Sequence, residues 1–305
     1  MTHLRMTRHL ACAGAWRLLA AAIAATPLAA QQKVDVRHAV TPDFFFRVTG
    51  SIGTLRVTGW DRDSLAVTGM LPAGVRMEVG IGGDGLTPAR GAKMYIEAPN
   101  DAATSTGSLE IRVPRRARVW IKSGTSNVDV RGVSGGLDVN VIGGSVHVAA
   151  SPRELQVEAM DATVVIEGTP AWLRAKTASG DITVRGGSAD LSLTSVSGSI
   201  RVEGGAVERG RMETVTGGIW FAATPSGAGE MAFDTHSGAM DLRLIGRDNF
   251  TLLASSITGA VDNEYDNTRV TVGREGRGAE LMLERGRESA RLTARSFKGT
   301  ITVRR

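Results

Sequence analysis

The sequence contains very little of the chemistry that most enzymes and metal sites need. It has one cysteine, Cys12, and five histidines, of which only His38, His147 and His236 lie beyond residue 30. A single thiol excludes intrachain disulfides and metal centres built from several cysteines. Neither a zinc-protease nor a serine-hydrolase motif occurs. The sequence therefore predicts no catalytic residue, no cofactor and no metal site.

Long hydrophobic runs are also lacking. The longest stretch of this kind, from Leu18 to Ala25, is far shorter than the roughly 20 residues that cross a bilayer. Three arginines precede it and Pro27 to Ala30 follow it, which is typical of a secretory signal peptide cleaved after Ala30. An uncleaved anchor is the alternative. We expect residues 1–30, which include Cys12, to export the protein to the periplasm or the extracellular surface.

What the sequence does have is a repeat. The first apolar residue of a short alternating segment recurs at nearly constant intervals of about 18–21 residues, and the first four intervals are identical. A constant period over many cycles indicates one structural unit stacked on copies of itself. The positions are Val128, Val146, Val164, Ile182, Ile200, Ile219, Met240, Val261, Leu281 and Ile301.

A second set of alternating segments lies half a period away. In the best-ordered stretch, nine residues separate the two sets, as between Ile182 and Leu191. Nine residues fit a five-residue strand and a glycine-containing corner. The second set begins at Val119, Leu137, Leu155, Leu173, Leu191, Met212, Met231, Phe250, Val270 and Leu292.

These patterns predict an all-β protein, a β-solenoid similar to a parallel β-helix with two short strands per coil. We expect one domain over 31–305, with irregular coils over 31–118 and regular coils over 119–305. Leu109 lies one repeat length before Val128, so the repeat is expected to extend back to it, and 80–92 is expected to be a loop. The alternative is a β-sandwich, but its loops vary in length and its turns favour Asn-Gly or Asp-Gly pairs.

Three segments resemble a known family. The segment from Gly53 to Leu65 contains Gly59-Trp60-Asp61, Leu109 to Pro114 ends in Val-Pro, and Ser/Thr-Gly corners precede the later strands. Together they resemble the bacterial toastrack, or "putative adhesin", family of β-strand-repeat domains of unknown function. The resemblance implies an exported or envelope-associated β-solenoid without catalytic residues. Many relatives carry a membrane anchor that is not visible here, and two corners have Ala162 and Ala279 instead of glycine.

Outward-facing acids leave an enzymatic alternative open. Parallel β-helix enzymes that cut polysaccharides use carboxylates, and stacked coils could bring such groups together. The alternation of these acids with arginines instead predicts charge pairing between coils. The acids are Asp129, Glu167, Asp181, Glu203 and Asp241, and the arginines are Arg131, Arg185, Arg201 and Arg243.

Outward tryptophans are the better candidates for contacting a ligand. Trp120 and Trp172 are expected on the second strand of their coils, three coils apart, and Trp220 on the first strand. Exposed tryptophan suits stacking on sugar rings or anchoring a protein. We expect a non-enzymatic envelope scaffold or adhesin-like binding protein. Its partner would be an envelope glycan or a protein, and not nucleic acid. An envelope sensory or assembly domain is a further alternative.

Two local features add expectations. Gly80 to Gly85 faintly resembles a calcium- or phosphate-binding loop, but the pattern occurs once and lacks the residues that would complete it. Ile301 to Val303 ends the chain as a strand with no visible cap. An open edge invites end-to-end self-association unless Arg304 and Arg305 repel a second copy.

Overall fold

The computed structural model describes residues 31–82, 88–99, 106–246, 249–273, 276–286 and 290–305. This described part contains β-strands and no helix. The N-terminal strands are β1 (Gln32–Thr49), β2 (Thr54–Trp60), β3 (Ser64–Leu71), β4 (Arg76–Gly82), β5 (Ala89–Glu97), β6 (Ser108–Pro114), β7 (Arg118–Arg131) and β8 (Gly136–Ala149). The middle strands are β9 (Glu154–Ala159), β10 (Thr163–Glu167), β11 (Trp172–Thr177), β12 (Ile182–Arg185), β13 (Ser188–Ser195), β14 (Ile200–Thr214) and β15 (Ile219–Thr235). The C-terminal strands are β16 (Met240–Leu244), β17 (Phe250–Ser256), β18 (Val261–Glu264), β19 (Thr271–Val272), β20 (Ala279–Arg285), β21 (Ala290–Ser296) and β22 (Ile301–Arg304).

The middle of the chain is a β-solenoid, as the repeat predicts. Its coils, here called rungs, each contribute one strand to a first face and one to a second face, and neighbouring rungs pair in parallel. On the first face, residues one repeat apart are direct partners, and all of them are buried. The series runs Val128, Val146, Val164, Ile182, Ile200, Ile219 and Met240.

The second face follows the same rule. Val119, Leu137, Leu155, Leu173 and Leu191 are partners in successive parallel pairs. All five side chains point into the core between the two faces. Parallel pairing of every rung in this region rules out the β-sandwich, which is built from antiparallel strands.

The corners between the faces hold buried hydroxyls and closely packed backbone. The Thr214 Oγ1 donates a hydrogen bond to the carbonyl of Gly217 and lies 3.0 Å from Thr235 Oγ1 on the next rung, whose hydroxyl can donate to it. At Gly198, an added Cβ would lie 2.1 Å from the carbonyl oxygen of Gly180. Glycine is required there because successive corners stack backbone on backbone. The repeated Ser/Thr-x-x-Gly pattern thus encodes the corner.

The C-terminal rungs are not stacked in sequence order. Met240 pairs with Ile301, and Ile301 pairs in turn with Val261. On the second face, β21 lies between β15 and β17 in the same way. The expected succession from Met240 directly to Val261 is therefore wrong, since the last rung of the chain is inserted between them. Regular spacing predicted the strands correctly, but not which strand would be the neighbour.

The N-terminal end has a similar insertion. Leu55 pairs with Leu109 on one side and with Val128 on the other. Leu109 and Val128 are one repeat length apart in the chain but are not on adjacent rungs, which corrects the expectation that the repeat extends back unbroken. The second half of β1 lies between β5 and β7 on the second face. The C-terminal strand β22 therefore lies inside the stack, whereas the first half of β1, from Gln32 to Ala39, pairs antiparallel with β3 alone and lies at the outer edge.

Antiparallel strands cover the two ends of the solenoid. At one end β4 pairs with β5 and β3 pairs with β6, and at the other β20 pairs with β17. Leu281 is thus not a first-face rung position but the partner of Ala254 on the second face. Ala279 lies in β20 and not at a corner, and Val270 precedes β19, a short antiparallel strand beyond β20. Such strands cover backbone groups that an open stack would expose.

Three expectations from the sequence concern the ends of the solenoid. The predicted loop over 80–92 is largely a hairpin, because Gly80 to Gly82 belong to β4 and Ala89 to Ala92 to β5. Residues 83–87, which complete the glycine-rich segment, lie outside the described residues, as does the predicted signal peptide over 1–30. Ile301 to Val303 does not form an open edge, because β22 is paired on both sides. The reason given for end-to-end association is therefore removed.

Candidate functional site

The first face carries the predicted charge pairs. The Asp129 carboxylate lies 3.0 Å from Arg131 Nε and 3.4 Å from Arg56 Nε on the neighbouring rung. Arg185 Nη1 lies 2.9 Å from Glu167, and its Nε lies 3.4 Å from Glu203. Arginine and acid thus alternate along the stack and bridge successive rungs.

The two other acids named from the sequence, Asp181 and Asp241, are also engaged. Asp181 accepts a 2.7 Å hydrogen bond from the backbone N–H of Ser199. Asp241 forms an ion pair with Arg304 at 3.3 Å, in an alignment that makes no hydrogen bond. Arg243 was expected to pair with an acid but donates instead to the backbone carbonyl of Arg305. A pair of carboxylates free for glycoside hydrolysis is therefore not found among the five named acids.

The histidines lie on the surface, as their positions predict. His147 lies between two acids, with Nδ1 3.4 Å from Asp129 and Nε2 3.4 Å from Glu167. His236 is exposed and stacks on Phe297 with a centroid distance of 5.0 Å. His38 is exposed on β1. Within the described residues, no group of three or more metal-ligating side chains comes together.

The structure places two of the three candidate tryptophans on one face. Trp120 pairs with Asp138 and Trp172 with Glu154, so both project from the second face. They are three rungs apart, which corresponds to about 14 Å along the stack, and lie in neighbouring columns of side chains. Trp220 projects from the first face and does not join them. All three are partly buried.

Arginines cover two of these indole rings. The Arg47 guanidinium lies 4.4 Å from the ring centre of Trp120, and Arg201 lies 4.4 Å from that of Trp220. Such cation–π contacts hold the rings in place. Across the part of the chain that the structure describes, Trp172 has no contact of this kind. Its ring is therefore the most available for stacking on a ligand.

A row of polar side chains lies between Trp120 and Trp172. The Asn140 amide donates a 2.6 Å hydrogen bond to Asp138, and the Gln156 amide donates a 3.2 Å bond to Glu158. Burial raises the pKa of Asp138, and the nearby negative charge of Glu158 raises it further, against the hydrogen bond from Asn140. The Arg174 Nε has no hydrogen-bond partner. Our reading of the sequence missed this polar row, although its positions recur with the period of the repeat.

A groove follows the corner at the end of this face. Its volume is about 760 Å³, and its lining includes Glu158, Lys176 and Ala178. The apolar part of the lining continues along the corner as a line of side chains that we call the apolar ridge. Each rung contributes one residue to it, the one that follows the buried corner hydroxyl or the residue in the corresponding position of that rung. Backbone hydrogen bonds stack these positions from rung to rung. In spatial order they are Ile142, Met160, Ala178, Val196, Val215, His236, Phe297 and Ile257.

The ridge could have been found from the sequence. Six of its side chains are 40–56% exposed, although each is a large apolar residue. In the segments Ser195-Val196-Ser197-Gly198 and Thr214-Val215-Thr216-Gly217, an apolar residue follows the buried hydroxyl. The alternation of the strand places this residue outside. An apolar residue that recurs at this outward position in successive repeats is the sequence signal for the ridge.

The segments that suggested a family have structural roles here. Trp60 Nε1 donates a 2.8 Å hydrogen bond to the carbonyl of Ser64, and the Asp61 carboxylate lies 2.6 Å from Arg115, just beyond the Val-Pro strand. The family model described as Toastrack DUF4097 matches residues 90–304, more than two thirds of the chain. The chain belongs to this family. Its toastrack fold accounts for the stacked strands without assigning a ligand.

Solved structures of similar overall extent carry adhesin descriptions. A "putative cell adhesion protein" from Clostridium sporogenes ATCC 15579 is 8% identical, with 90% of this chain and 99% of that chain covered and a TM-score of 0.23. A "putative adhesin" from Bacteroides fragilis NCTC 9343 is 10% identical, with 90% and 96% covered and a TM-score of 0.36. Another from Parabacteroides distasonis ATCC 8503 is 12% identical, with 89% and 97% covered and a TM-score of 0.37. At these scores the superpositions carry no argument about function.

No curated protein matches this toastrack chain. Among the described residues, there is also no helix of the length and hydrophobicity that a membrane span requires.

Proposed function

We propose that this toastrack protein is an exported, non-enzymatic envelope protein that binds a glycan on the second face of its solenoid. The observation that carries the proposal is the combination of Trp172, Trp120 and a row of amide and carboxylate groups on one flat surface. The paired acids of the first face favour binding over hydrolysis. The segment 1–30, with its basic start and short apolar core, favours export.

The chemistry of the second face suits a sugar chain. Sugar rings present apolar C–H faces and hydroxyl edges, which match an indole ring and adjacent amide and carboxylate oxygens. Trp172 offers its ring, while Gln156 and Asn140 offer both donors and acceptors. Arg174, two residues after Trp172 on the same side of β11, adds a guanidinium group to this face. Because the groups recur from rung to rung, an extended polymer fits this face better than a single sugar.

The two tryptophans provide the direct test. We expect Trp172→Ala to weaken binding to cell-wall glycans roughly fivefold or more, since truncating an aromatic anchor costs about 1 kcal/mol or more. Trp120→Ala should have a smaller effect, because Arg47 already covers that ring. Binding is measured by titration calorimetry with purified envelope glycan fractions.

Trp220→Ala is the matched control. Like Trp120, Trp220 is partly buried and lies under an arginine at 4.4 Å, but it is on the first face. Glycan binding that survives Trp172→Ala and Trp120→Ala together would remove the second face from the proposal. A protein that binds none of the fractions would overturn the glycan as its ligand.

A further inference from the structure

The apolar ridge is a continuous exposed strip with no covering segment among the described residues. Its eight positions span about 34 Å, because each rung adds ~4.8 Å. A soluble protein rarely exposes large apolar side chains in one contiguous line unless something covers them. The charged side chains beside the ridge indicate which molecule covers this surface.

Two rows of side chains flank the ridge. The row on the second face lies two residues before each ridge position, and its strand register is parallel throughout. The row on the other side lies one residue after each ridge position. In ridge order, the first row is Asn140, Glu158, Lys176, Thr194, Glu213, Asp234, Arg295 and Ser255, and the second is Gly143, Asp161, Ser179, Ser197, Thr216, Ser237, Lys298 and Thr258.

Each row is complementary in charge to the same row of a second copy that runs in the opposite direction. If a second copy lies antiparallel on the ridge, its Phe297 faces Met160 and each row faces the same row of the other copy. Glu158 then faces the other copy's Arg295, and Lys176 faces its Asp234. In the second row, Asp161 faces Lys298. The two-fold symmetry repeats each pair, so that all six charge contacts are attractive.

The parallel arrangement has the opposite result. There each row faces the other row at the same rung, so that Glu158 meets Asp161 and Arg295 meets Lys298. Both contacts join like charges, and symmetry doubles them. The charge pattern thus favours one orientation and opposes the other. No ion pair within the described residues already engages Lys176, Arg295 or Lys298.

The shape of the ridge matches the same orientation. The groove lies at the end marked by Ile142, where the ridge position of the third rung is the small Ala178. At the other end, the stacked rings of His236 and Phe297 project from the corner. In the antiparallel pair, these rings face Ala178 and Met160. Aromatic rings therefore enter the groove, where Phe297 contacts a thioether, a favourable partner for it.

From these observations we propose that this chain forms an antiparallel two-fold dimer through its apolar ridge. A strip of ~34 Å by about 13 Å, four residues wide, buries roughly 450 Å² on each copy. The total is close to the lower limit of specific interfaces, about 1,000 Å². We therefore expect a reversible dimer with a dissociation constant in the micromolar range. The glycan-binding surface proposed above adjoins this interface and shares Asn140 and Glu158 with it. The experiments below measure self-association without glycan, so failure of either proposal leaves the other standing.

Charge reversal tests both the dimer and its orientation. Glu158→Arg should weaken dimerisation at least tenfold, because the new cation faces Arg295. The double variant Glu158→Arg/Arg295→Glu should restore it, since the exchanged charges again attract. The dissociation constant is measured by sedimentation over a concentration series of residues 31–305. The control is Glu154→Arg, which reverses an exposed acid on the same strand, four residues before Glu158.

Cross-linking gives an independent measurement, since residues 31–305 contain no cysteine. A mixture of Met160→Cys and Phe297→Cys chains should form a disulfide between copies on oxidation, while neither variant alone should do so. A parallel dimer would instead cross-link each variant with itself, and Glu158→Arg would strengthen it. Either of those results, or a monomer at every concentration, overturns the proposal.

Discussion

At the scale of single residues, electrostatics differ sharply between the two faces. Burial would raise the pKa of Asp129, but hydrogen bonds and charge from Arg131, with further bonds from Arg56 and His147, lower it overall. Asp138 on the second face has a raised pKa, because it is partly buried and lies near another acid. The first face is stabilised by its charges, whereas the second tolerates an unfavourable one.

We predict opposite effects of neutralising these two acids. The pKa of folded Asp138 lies above its ordinary value of about 3.9. Asp138 therefore lowers stability as the pH rises above that ordinary value, and the full cost is reached above the raised pKa. Asp138→Asn should therefore increase the free energy of unfolding at pH 7 and have little effect near pH 3. Urea unfolding at both pH values measures the difference.

Asp129→Asn is the comparison. The lowered pKa of Asp129 stabilises the fold above about pH 4, and this contribution is lost as the pH falls through the folded-state pKa. We expect the variant to lose about 1 kcal/mol at pH 7 and to approach the parent protein at low pH. If Asp138→Asn and Asp129→Asn changed the free energy of unfolding in the same direction at pH 7, this account of the two faces would be contradicted.

At the scale of the elements, the corner decides whether rungs can stack. The sequence predicts glycine at the corners for a positive φ or for a close backbone approach. The distances show that close approach is the reason at Gly198, where the neighbouring backbone leaves no room for a Cβ. Strand positions could be predicted because burial alternates with a period of two residues. Corner packing could not, because it depends on how closely the next rung approaches.

Gly198→Ala should therefore destabilise the protein by about 3 kcal/mol through steric overlap with the Gly180 carbonyl. Gly143→Ala is the matched control, since its added Cβ would lie no closer than 3.5 Å to Thr125 Oγ1. That variant should leave the melting temperature unchanged or slightly higher. Similar losses for both glycines, measured by thermal unfolding, would mean that close approach is not the reason for glycine at this corner.

At the scale of the whole molecule, the terminal rungs are inserted within the stack and not added to its end. β21 and β22 together pair with β15, β16, β17 and β18. The C-terminal segment therefore joins two parts of the solenoid that would otherwise not touch through those strands. Folding of this end must wait until the last residues of the chain are available.

Deleting residues 290–305 should accordingly unfold more than the deleted segment. We expect hydrogen exchange to become rapid over 250–264, because β17 and β18 lose their parallel partners, while 137–195 stays protected. Arg291→Ala, an exposed change within the same segment, should leave the exchange of both regions unchanged. Persisting protection over 250–264 in the deletion variant would show that the end folds without its inserted rung.

The sequence by itself determined the repeat, the solenoid, the buried face of each central strand and the outward positions of Trp120, Trp172 and Trp220. These follow from local alternation and a constant period, which each segment carries independently of its neighbours. Only the tertiary structure decided that Ile301 lies between Met240 and Val261, and that Leu55 lies between Leu109 and Val128. An apolar strand of the right length fits any rung equally well, so the order of the end rungs depends on long-range pairing and on which strands remain to cover the edges.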